Sequence, residues 1–282
     1  MLPEAIHTEI ERELDTNIVD QVSVTGGDIN SGACLDTESG ERLFVKWNLH
    51  APDDMFLKEA QGLQLLSTAD SGLVIPKPRL VGQHFLLMEF IEECSYGNAY
   101  LFGSQLAQLH RKSNELFGLE TTNYIGKLQQ SNRYHADWLE FFIRERLEPQ
   151  VKLAIDSGLL PKSHHAIFER VFNYTYIIFP DEPPALLHGD LWNGNYMWTT
   201  SGDTAIYDPA VYFGHREMDL AMTQLFGGFS DEFYRGYNEV YPLQKGYEER
   251  FKLCNLYPVL VHANLFGGNY VQQANQLLKR FF

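Results

Sequence analysis

The feature that most constrains this chain is a pair of short polar segments, each preceded by an apolar run. Residues 188–195 read His-Gly-Asp-Leu-Trp-Asn-Gly-Asn, and residues 206–210 read Ile-Tyr-Asp-Pro-Ala. Taken singly, Asp190 and Asn195 would be interpreted as turn residues, because Asp, Asn and Gly favour loops. Together with Asp208 they supply two carboxylates and an amide at a regular spacing, so a catalytic arrangement is the better interpretation.

This combination of groups has a clear chemical use in phosphoryl transfer. One carboxylate orients the attacking hydroxyl and accepts its proton, while an amide and a second carboxylate hold a metal ion against the phosphates. The His-x-Asp-x4-Asn spacing matches the catalytic loop of kinases, and the later Asp matches their metal-binding residue. We therefore expect Asp190 to act as the base and Asn195 and Asp208 to bind Mg²⁺, with ATP as the phosphoryl donor. His188 is expected to brace the backbone through a hydrogen bond.

A lysine and a glutamate near the N-terminus form a second candidate pair. Lys46 lies near the end of the apolar segment 43–47, and Glu59 lies in a predicted helix from Met55 to Leu66. In kinases a strand lysine binds the nucleotide phosphates and is held by a helix glutamate. The alternative is a solvated lysine beside an unrelated surface glutamate. A net charge of −15 repels ATP at long range, so an ATP site in this protein would need a local cation and a metal ion, and Lys46 would supply that cation.

A glycine-rich segment, residues 26–32, precedes this lysine. Backbone N–H groups at Gly26, Gly27 and Asp28 are candidates for phosphate contacts, because glycine permits close approach. The segment matches neither GxGxxG nor the Walker pattern, and a plain hairpin turn explains it equally well in isolation. Its position before Lys46 favours the nucleotide-binding interpretation.

Two further groups of residues have open interpretations. The segment Met88, Glu89, Phe90 and Ile91 ends the predicted sheet, and its backbone is a candidate partner for the adenine edge; an ordinary core strand is compatible with that role. Trp192, two residues after the proposed base, is either a core aromatic or a surface against which a sugar or amine packs.

Apolar periodicity predicts sheet in the first third of the chain and helix in most of the rest. The spacing of Ile6, Ile10 and Leu14 predicts an opening helix. Alternation and turn signals predict strands at these positions: Val22 to Val24, 43–47, 79–81, 85–91, 196–199 and 204–207. The expected fold is α+β and bilobal, with a small antiparallel-sheet nucleotide-binding lobe (1–92) and a larger helical lobe carrying the catalytic loop and substrate site (93–282).

Composition and charge exclude several classes of protein. The net charge of −15 argues against nucleic-acid binding, which depends on Lys and Arg. Apolar runs are too short to cross a membrane, and no secretion signal is visible. Three scattered cysteines suggest neither a disulfide framework nor a metal knuckle. We therefore expect a cytoplasmic protein that is a monomer or weak homodimer.

Residues 188–195, residues 207–210 and the string 214–229 together resemble the fructosamine kinase family. Residues 26–30, 44–46 and 88–89 resemble the same family in the same order, so the resemblance spans nearly the whole chain. It implies the aminoglycoside phosphotransferase-like version of the protein kinase fold. It implies phosphorylation of the third hydroxyl of ketosamines, on free amines or on glycated protein lysines, and hence a deglycation or repair role. It also implies that Trp192 is a substrate wall and that Asp219, within the string, hydrogen-bonds to the catalytic loop.

The sequence also departs from protein kinases. Gly189 replaces the arginine of His-Arg-Asp, Asp-Pro-Ala replaces Asp-Phe-Gly, and no Ala-Pro-Glu motif follows, so control by activation-loop phosphorylation is not expected. Two alternative functions remain open. One is a kinase of the same fold acting on an aminoglycoside, choline or homoserine, and the other is a catalytically silent nucleotide-binding module.

Overall fold

The computed structural model describes residues 1–24 and 29–281 of the chain. Its N-terminal part is an antiparallel five-stranded sheet with the strand order β1-β2-β3-β5-β4, and one helix, α1 (Glu4–Leu14), precedes it. A second helix, α2 (Met55–Ser67), connects β3 to β4. The five strands are β1 (Ile18–Val24), β2 (Ser31–Thr37), β3 (Arg42–Trp47), β4 (Pro78–Val81) and β5 (Phe85–Glu89).

The two helices pack on opposite faces of this sheet. On one face Ile6 and Ile10 of α1 join a buried cluster that includes Val45 of β3. On the other face α2 forms a separate buried cluster, into which Phe44 packs. Because successive strand residues point to opposite faces, Lys46 lies on the same face as Phe44. The sequence of β3 therefore directs this lysine toward α2.

The C-terminal part is mainly helical. Its helices are α3 (Ala99–His110), α4 (Trp138–Phe141), α5 (Glu148–Asp156), α6 (His164–Ile178), α7 (Glu217–Leu225), α8 (Asp231–Val240), α9 (Tyr247–Cys254), α10 (Leu256–Phe266) and α11 (Asn269–Leu278), with a π-helix at Phe142–Leu147 and a final 3₁₀ turn at Lys279–Phe281. They enclose one large buried cluster rich in aromatic residues. No helix in residues 1–24 and 29–281 is both long and apolar enough to span a bilayer.

Three small antiparallel sheets lie among these helices and carry the polar segments. The strand β10 pairs with both β11 and β6, β9 pairs with β12, and β7 pairs with β8. Their bounds are β6 (Glu93–Cys94), β7 (Asn123–Ile125), β8 (Leu128–Gln130), β9 (Ala185–Leu187), β10 (Tyr196–Thr199), β11 (Thr204–Ile206) and β12 (Tyr212–Gly214). Residues 188–195 thus connect β9 to β10, and residues 207–211 connect β11 to β12.

Two segments of the chain connect the sheet-rich part to the hairpin of β10 and β11, one by continuing into it and one by hydrogen bonds alone. After β5 the chain enters β6, where Cys94 is paired with Trp198 of β10. Earlier in the sequence, the N–H of Val74 donates to the carbonyl of Thr204 (2.9 Å), and the N–H of Ile206 donates to the carbonyl of Val74 (3.1 Å). Both segments are therefore hydrogen-bonded to this hairpin.

The predicted bilobal α+β fold is confirmed, but the structure differs from the sequence predictions at three places. The strand β2 was missed, because its Ser31-Gly32 and Asp36-Thr37 dipeptides look like turn residues, although Ala33 and Leu35 are fully buried between them. Ser31 and Gly32, the last two residues of the glycine-rich segment, therefore belong to β2, and the rest of this strand lies between them and Lys46 in the sequence. The strand predicted to reach Ile91 ends at Glu89. The π-helix was also unforeseen, since apolar spacing does not distinguish it from an α-helix.

Candidate active site

The segment that follows β9 is held by a single buried carboxylate. Asp219, on α7, accepts the backbone N–H of His188 (2.7 Å) and that of Gly189 (2.8 Å). Its Oδ2 also accepts from Nε2 of His110 (3.2 Å). The hydrogen bond predicted between Asp219 and the catalytic segment is therefore present, and it is doubled.

His188 connects the two polar segments through its ring. Its Nε2–H donates to the carbonyl of Tyr207 (2.9 Å), and its Nδ1 accepts the N–H of Asp190 (3.3 Å). Burial lowers the pKa of this imidazole, which keeps it in the neutral form that one donor and one acceptor nitrogen require. The ring acts as a brace.

Gly189 allows the two segments to touch. Its φ is +81°, and a Cβ at this position would lie 2.1 Å from the carbonyl oxygen of Ala210. The N–H of Ala210 in turn donates to the carbonyl of His188 (2.9 Å). An arginine, which protein kinases have at this position, has no space here. The glycine is therefore required by the close approach of residues 188–190 to residues 208–210.

Asp190 is half-buried and paired with Asn195. The side-chain Nδ2 of Asn195 donates to the backbone carbonyl of Asp190 (2.8 Å) and to its Oδ2 (3.0 Å). Burial, followed by the negative charge of Asp208, raises the pKa of Asp190 to about 7. A carboxyl with a pKa near neutrality is suited to accept a proton from an alcohol during the reaction.

Asp208 follows β11 and lies at the same end of the β10–β11 hairpin as Asn195. The register pairs Tyr196 with Ile206, and the N–H of Tyr207 donates to the carbonyl of Asn195 (3.1 Å). The residue before β10 and the residue two after β11 are thus brought to one end of the hairpin. The φ of Asp208 is +58°, which is uncommon for a residue other than glycine and occurs often at functional sites.

Lys46 is the cation of the site. Its Nζ lies 2.9 Å from both carboxylate oxygens of Glu59 and 2.8 Å from Oδ1 of Asp208. Burial alone would lower the pKa of this ammonium, but the carboxylates of Asp208 and Glu59 outweigh burial and hold it above its usual range. The predicted pairing of Lys46 with Glu59 is present, and Asp208 joins it.

The oxygen donors fit a hard divalent cation that also binds phosphate. Because Nδ2 of Asn195 is engaged by Asp190, its Oδ1 is the group left to act as a ligand, and Asp208 adds a half-exposed carboxylate. In the described part of the chain, no group of three or more His, Cys, Asp or Glu residues is arranged to hold a metal ion. One or two protein oxygens supplemented by substrate phosphates is the usual pattern for Mg²⁺.

The other residues predicted to bind the nucleotide lie in two segments outside this cluster. Gly26, Gly27 and Asp28 lie outside the described residues. At the end of β5, Met88 is buried, and the N–H of Glu89 is already donated to the carbonyl of Lys77 (3.0 Å). The rest of this segment, Phe90 and Ile91, is half-buried.

Trp192 lies in an aromatic group that sequence reasoning did not find. Its ring is 5.6 Å from that of Phe226, which is 5.1 Å from that of His262. A small hollow beside Asp190 is lined by His262 and by Tyr257 of α10, among others. The signal that could have found them is weak, since single aromatic residues on a helix usually belong to the core.

Comparison with known proteins agrees with this geometry. The model of one family, described as fructosamine kinase, matches residues 2–282. The chain belongs to the fructosamine kinase family. The predicted resemblance is thus confirmed, and the chain is a kinase.

Relatives extend over most of the chain. A probable ketoamine kinase from Synechocystis sp. is 38% identical over 278 residues, which cover 93% of this chain and 90% of that protein. A chloroplastic protein-ribulosamine 3-kinase from Oryza sativa subsp. indica is 38% identical over 277 residues, covering 93% of this chain and 79% of that protein.

Solved structures give the same family and the wider fold. A putative fructosamine-3-kinase from Thermobifida fusca superposes with a TM-score of 0.91 at 32% identity, covering 99% of each chain. The gentamicin complex of APH(2")-IIa superposes with a TM-score of 0.67 at 14% identity, covering 100% of this chain and 96% of that chain. The latter likeness shows the fold alone, which is that of aminoglycoside phosphotransferase-like kinases.

Proposed function

We propose that this chain is an ATP-dependent ketosamine 3-kinase that uses Asp190 as its base. The observation that carries the proposal is the position of Asp190, half-buried and hydrogen-bonded to Asn195, with its pKa raised to about 7. The names of the relatives, which include a ketoamine kinase and a ribulosamine 3-kinase, support a ketosamine as the acceptor. The product would be the 3-phosphate of the sugar and ADP.

The reaction requires one bond to form and one to break. The 3-hydroxyl oxygen of the ketosamine attacks the γ-phosphorus of ATP, and ADP leaves with the bridging oxygen. The proton of the hydroxyl passes to a carboxylate oxygen of Asp190. Asp219 keeps this carboxylate in place by holding the N–H groups of His188 and Gly189, so that little reorganisation is needed during the transfer.

The phosphates would be bound by Lys46 together with a metal ion. Asn195, through Oδ1, and Asp208 are the residues that would hold Mg²⁺, which would neutralise the charge on the phosphates. Glu59 keeps Lys46 in place through two contacts of 2.9 Å. The backbone N–H groups of Gly26, Gly27 and Asp28 are the further groups that we propose to contact the phosphates.

The remaining parts of the site follow from the fold. We infer that residues 1–92 form the nucleotide-binding lobe and residues 93–282 the catalytic lobe. Adenine would contact the backbone of the segment Met88 to Ile91, in which the N–H of Glu89 is already donated to the carbonyl of Lys77. Trp192 would form a wall for the sugar. The substrate would be a free ketosamine or a glycated protein lysine in the cytoplasm.

A panel of acceptors tests this function. ADP release is measured with ribuloselysine, fructoselysine, an aminoglycoside and choline, each with wild type and with Asp190→Asn. We expect turnover with a ketosamine and its loss in the variant. Turnover only with an aminoglycoside or choline would overturn the choice of substrate. Absence of turnover with every acceptor, together with intact ATP binding, would favour the silent nucleotide-binding module.

A further inference from the structure

Two buried amide side chains lie on a hairpin that carries none of the residues discussed so far. Asn123, on β7, and Gln130, on β8, are directly paired across this two-stranded ribbon. They are 4% and 2% exposed. Burying an amide to this extent costs free energy unless each of its polar atoms has a hydrogen-bond partner. The groups to which these two amides are bonded therefore indicate their role.

Both amides donate hydrogen bonds to the segment that follows Asp208. The Nε2 of Gln130 donates to the backbone carbonyl of Ala210 (3.2 Å), and the Nδ2 of Asn123 donates to the backbone carbonyl of Val211 (2.8 Å). The two side chains are also bonded to each other, since the second hydrogen of Gln130 Nε2 goes to Asn123 Oδ1 (2.9 Å). Two consecutive carbonyls are therefore fixed by one amide pair.

The orientation of this pair is determined by its other partners. Tyr257 donates its hydroxyl to Oε1 of Gln130 (2.6 Å). Asn132 donates to Oδ1 of Asn123 (2.8 Å), and its own Oδ1 accepts from Nη2 of Arg146 (2.6 Å). Backbone carbonyls only accept hydrogen bonds. If either amide were rotated by 180°, its side-chain oxygen would face a backbone carbonyl oxygen, so only the present orientation satisfies both groups. The donors thus run in one direction, from the buried Arg146 to the carbonyl of Val211, and polarise one another.

Ala210 connects the segment that contains Asp190 to the segment that contains Asp208. The N–H of the same residue donates to the carbonyl of His188, and its carbonyl oxygen is in close contact with Gly189. A displacement of Ala210 would therefore move the segment of Asp190 relative to that of Asp208. The unusual φ of Asp208, +58°, also needs surroundings that hold it in place.

We propose that Asn123 and Gln130 are positioning residues that set Asp208 in the geometry needed to bind the metal–nucleotide complex. The proposal rests on the proposed function of Asp208 as a metal ligand. Neither amide touches the reacting atoms in this arrangement. Their effect is transmitted through Ala210 and Val211, in the way that partners behind a metal ligand fix its orientation.

The test compares Gln130→Met with Gln129→Met, because Gln129 is the exposed neighbour on the same strand. Methionine keeps the length of the side chain and removes its hydrogen bonds. The readouts are Mn²⁺ binding to the ADP-bound protein by electron paramagnetic resonance, kcat with its dependence on Mg²⁺, ADP binding without metal, and the melting temperature.

For Gln130→Met we expect Mn²⁺ affinity in the ADP complex to fall by about tenfold or more, the range seen when partners behind a metal ligand are removed. The concentration of Mg²⁺ needed for half-maximal rate should rise in parallel, and ADP binding without metal should be unchanged. Gln129→Met should match wild type in every readout. A lower melting temperature with wild-type Mn²⁺ affinity would show a merely structural role and overturn the proposal.

A milder variant keeps the test decisive if Gln130→Met does not fold. Asn123→Ser frees the carbonyl of Val211 and leaves the bond from Gln130 to Ala210 in place, so the same loss of Mn²⁺ affinity is expected at smaller size. Wild-type Mn²⁺ affinity in this variant would count against the proposal. Failure of the wild-type protein to bind Mn²⁺ and ADP together would instead refute the proposed function.

Discussion

Nζ of Lys46 lies 2.8 Å from Oδ1 of Asp208, so the proposed phosphate-binding cation is paired with a proposed metal ligand. Glu59 lies 2.9 Å from the same nitrogen. Two carboxylates and one ammonium are thus gathered in a largely buried site, where each charge needs its partner. Lys46 is therefore held by these two carboxylates at the place where we propose that the phosphates bind.

Lys46→Met should impair nucleotide handling strongly. It removes the charged donor to the phosphates and leaves Glu59 and Asp208 without their counter-ion. We expect kcat/KM for ATP to fall by about 10²–10³, the usual cost of losing one oriented donor to the reacting group. Initial rates over a range of ATP concentrations measure this. Lys58→Met, on the same helix as Glu59, is the control and should keep wild-type kinetics.

Asp190→Asn should nearly abolish turnover and spare nucleotide binding. Loss of a general base typically lowers kcat by about 10²–10⁴, while the amide keeps the shape of the side chain. The measurements are kcat from ADP release and the dissociation constant of ADP from calorimetry. Asp181→Asn, at an exposed position, controls for the change of charge. Retention of wild-type kcat in Asp190→Asn would remove the proposed base.

The same variant should stabilise the nucleotide-free protein above pH 4. Burial raises the folded-state pKa of Asp190 to about 7, from 3.8 in the unfolded chain. Between these values the folded state holds more protons than the unfolded state, so this carboxyl makes stability fall as pH rises. The gain in melting temperature of Asp190→Asn over wild type should therefore grow from pH 4 to pH 7 and then level off. A gain that is independent of pH would contradict the assignment.

Gly189→Ala should disrupt the contact between the two polar segments. A Cβ would lie 2.1 Å from the carbonyl oxygen of Ala210, and the φ of +81° is itself unfavourable for alanine. Gly202→Ala is a matched control, because its φ is +86° and no atom lies within 4 Å of its Cβ. Both variants should lose about 1 kcal/mol from the dihedral angle. Only Gly189→Ala should lose more in chemical denaturation and also lose kcat.

The proposed catalytic groups could be predicted because local sequence carries them. Asp190 and Asn195 share one loop, and an apolar strand directly precedes Asp208, so spacing alone shows their relationship. Lys46 and Glu59 were predictable for a similar reason, since a strand followed by a helix has few ways to pack. For these residues, the arrangement of the proposed site follows from the local sequence and secondary structure.

The parts that were missed depend on long-range contacts. Gln130 reaches Ala210 and Tyr257, which are far apart in sequence, and nothing in its local pattern separates it from the exposed Gln129. Likewise, β2 is buried by its neighbours rather than by a strong strand sequence. Tertiary packing decides such elements, and single-sequence propensity does not contain it.

Two segments that are hydrogen-bonded to the hairpin of β10 and β11 restrict how the cleft between the lobes can open. Cys94 is paired with Trp198 of β10, and Val74 is hydrogen-bonded on both sides to residues of β11. Both segments are therefore anchored to one hairpin, and Asp208 follows its second strand. Any rotation of the sheet would pivot on an axis running through these anchors, so Asp208 would stay near the axis while β1, at the edge of the sheet opposite β4, swept the larger arc.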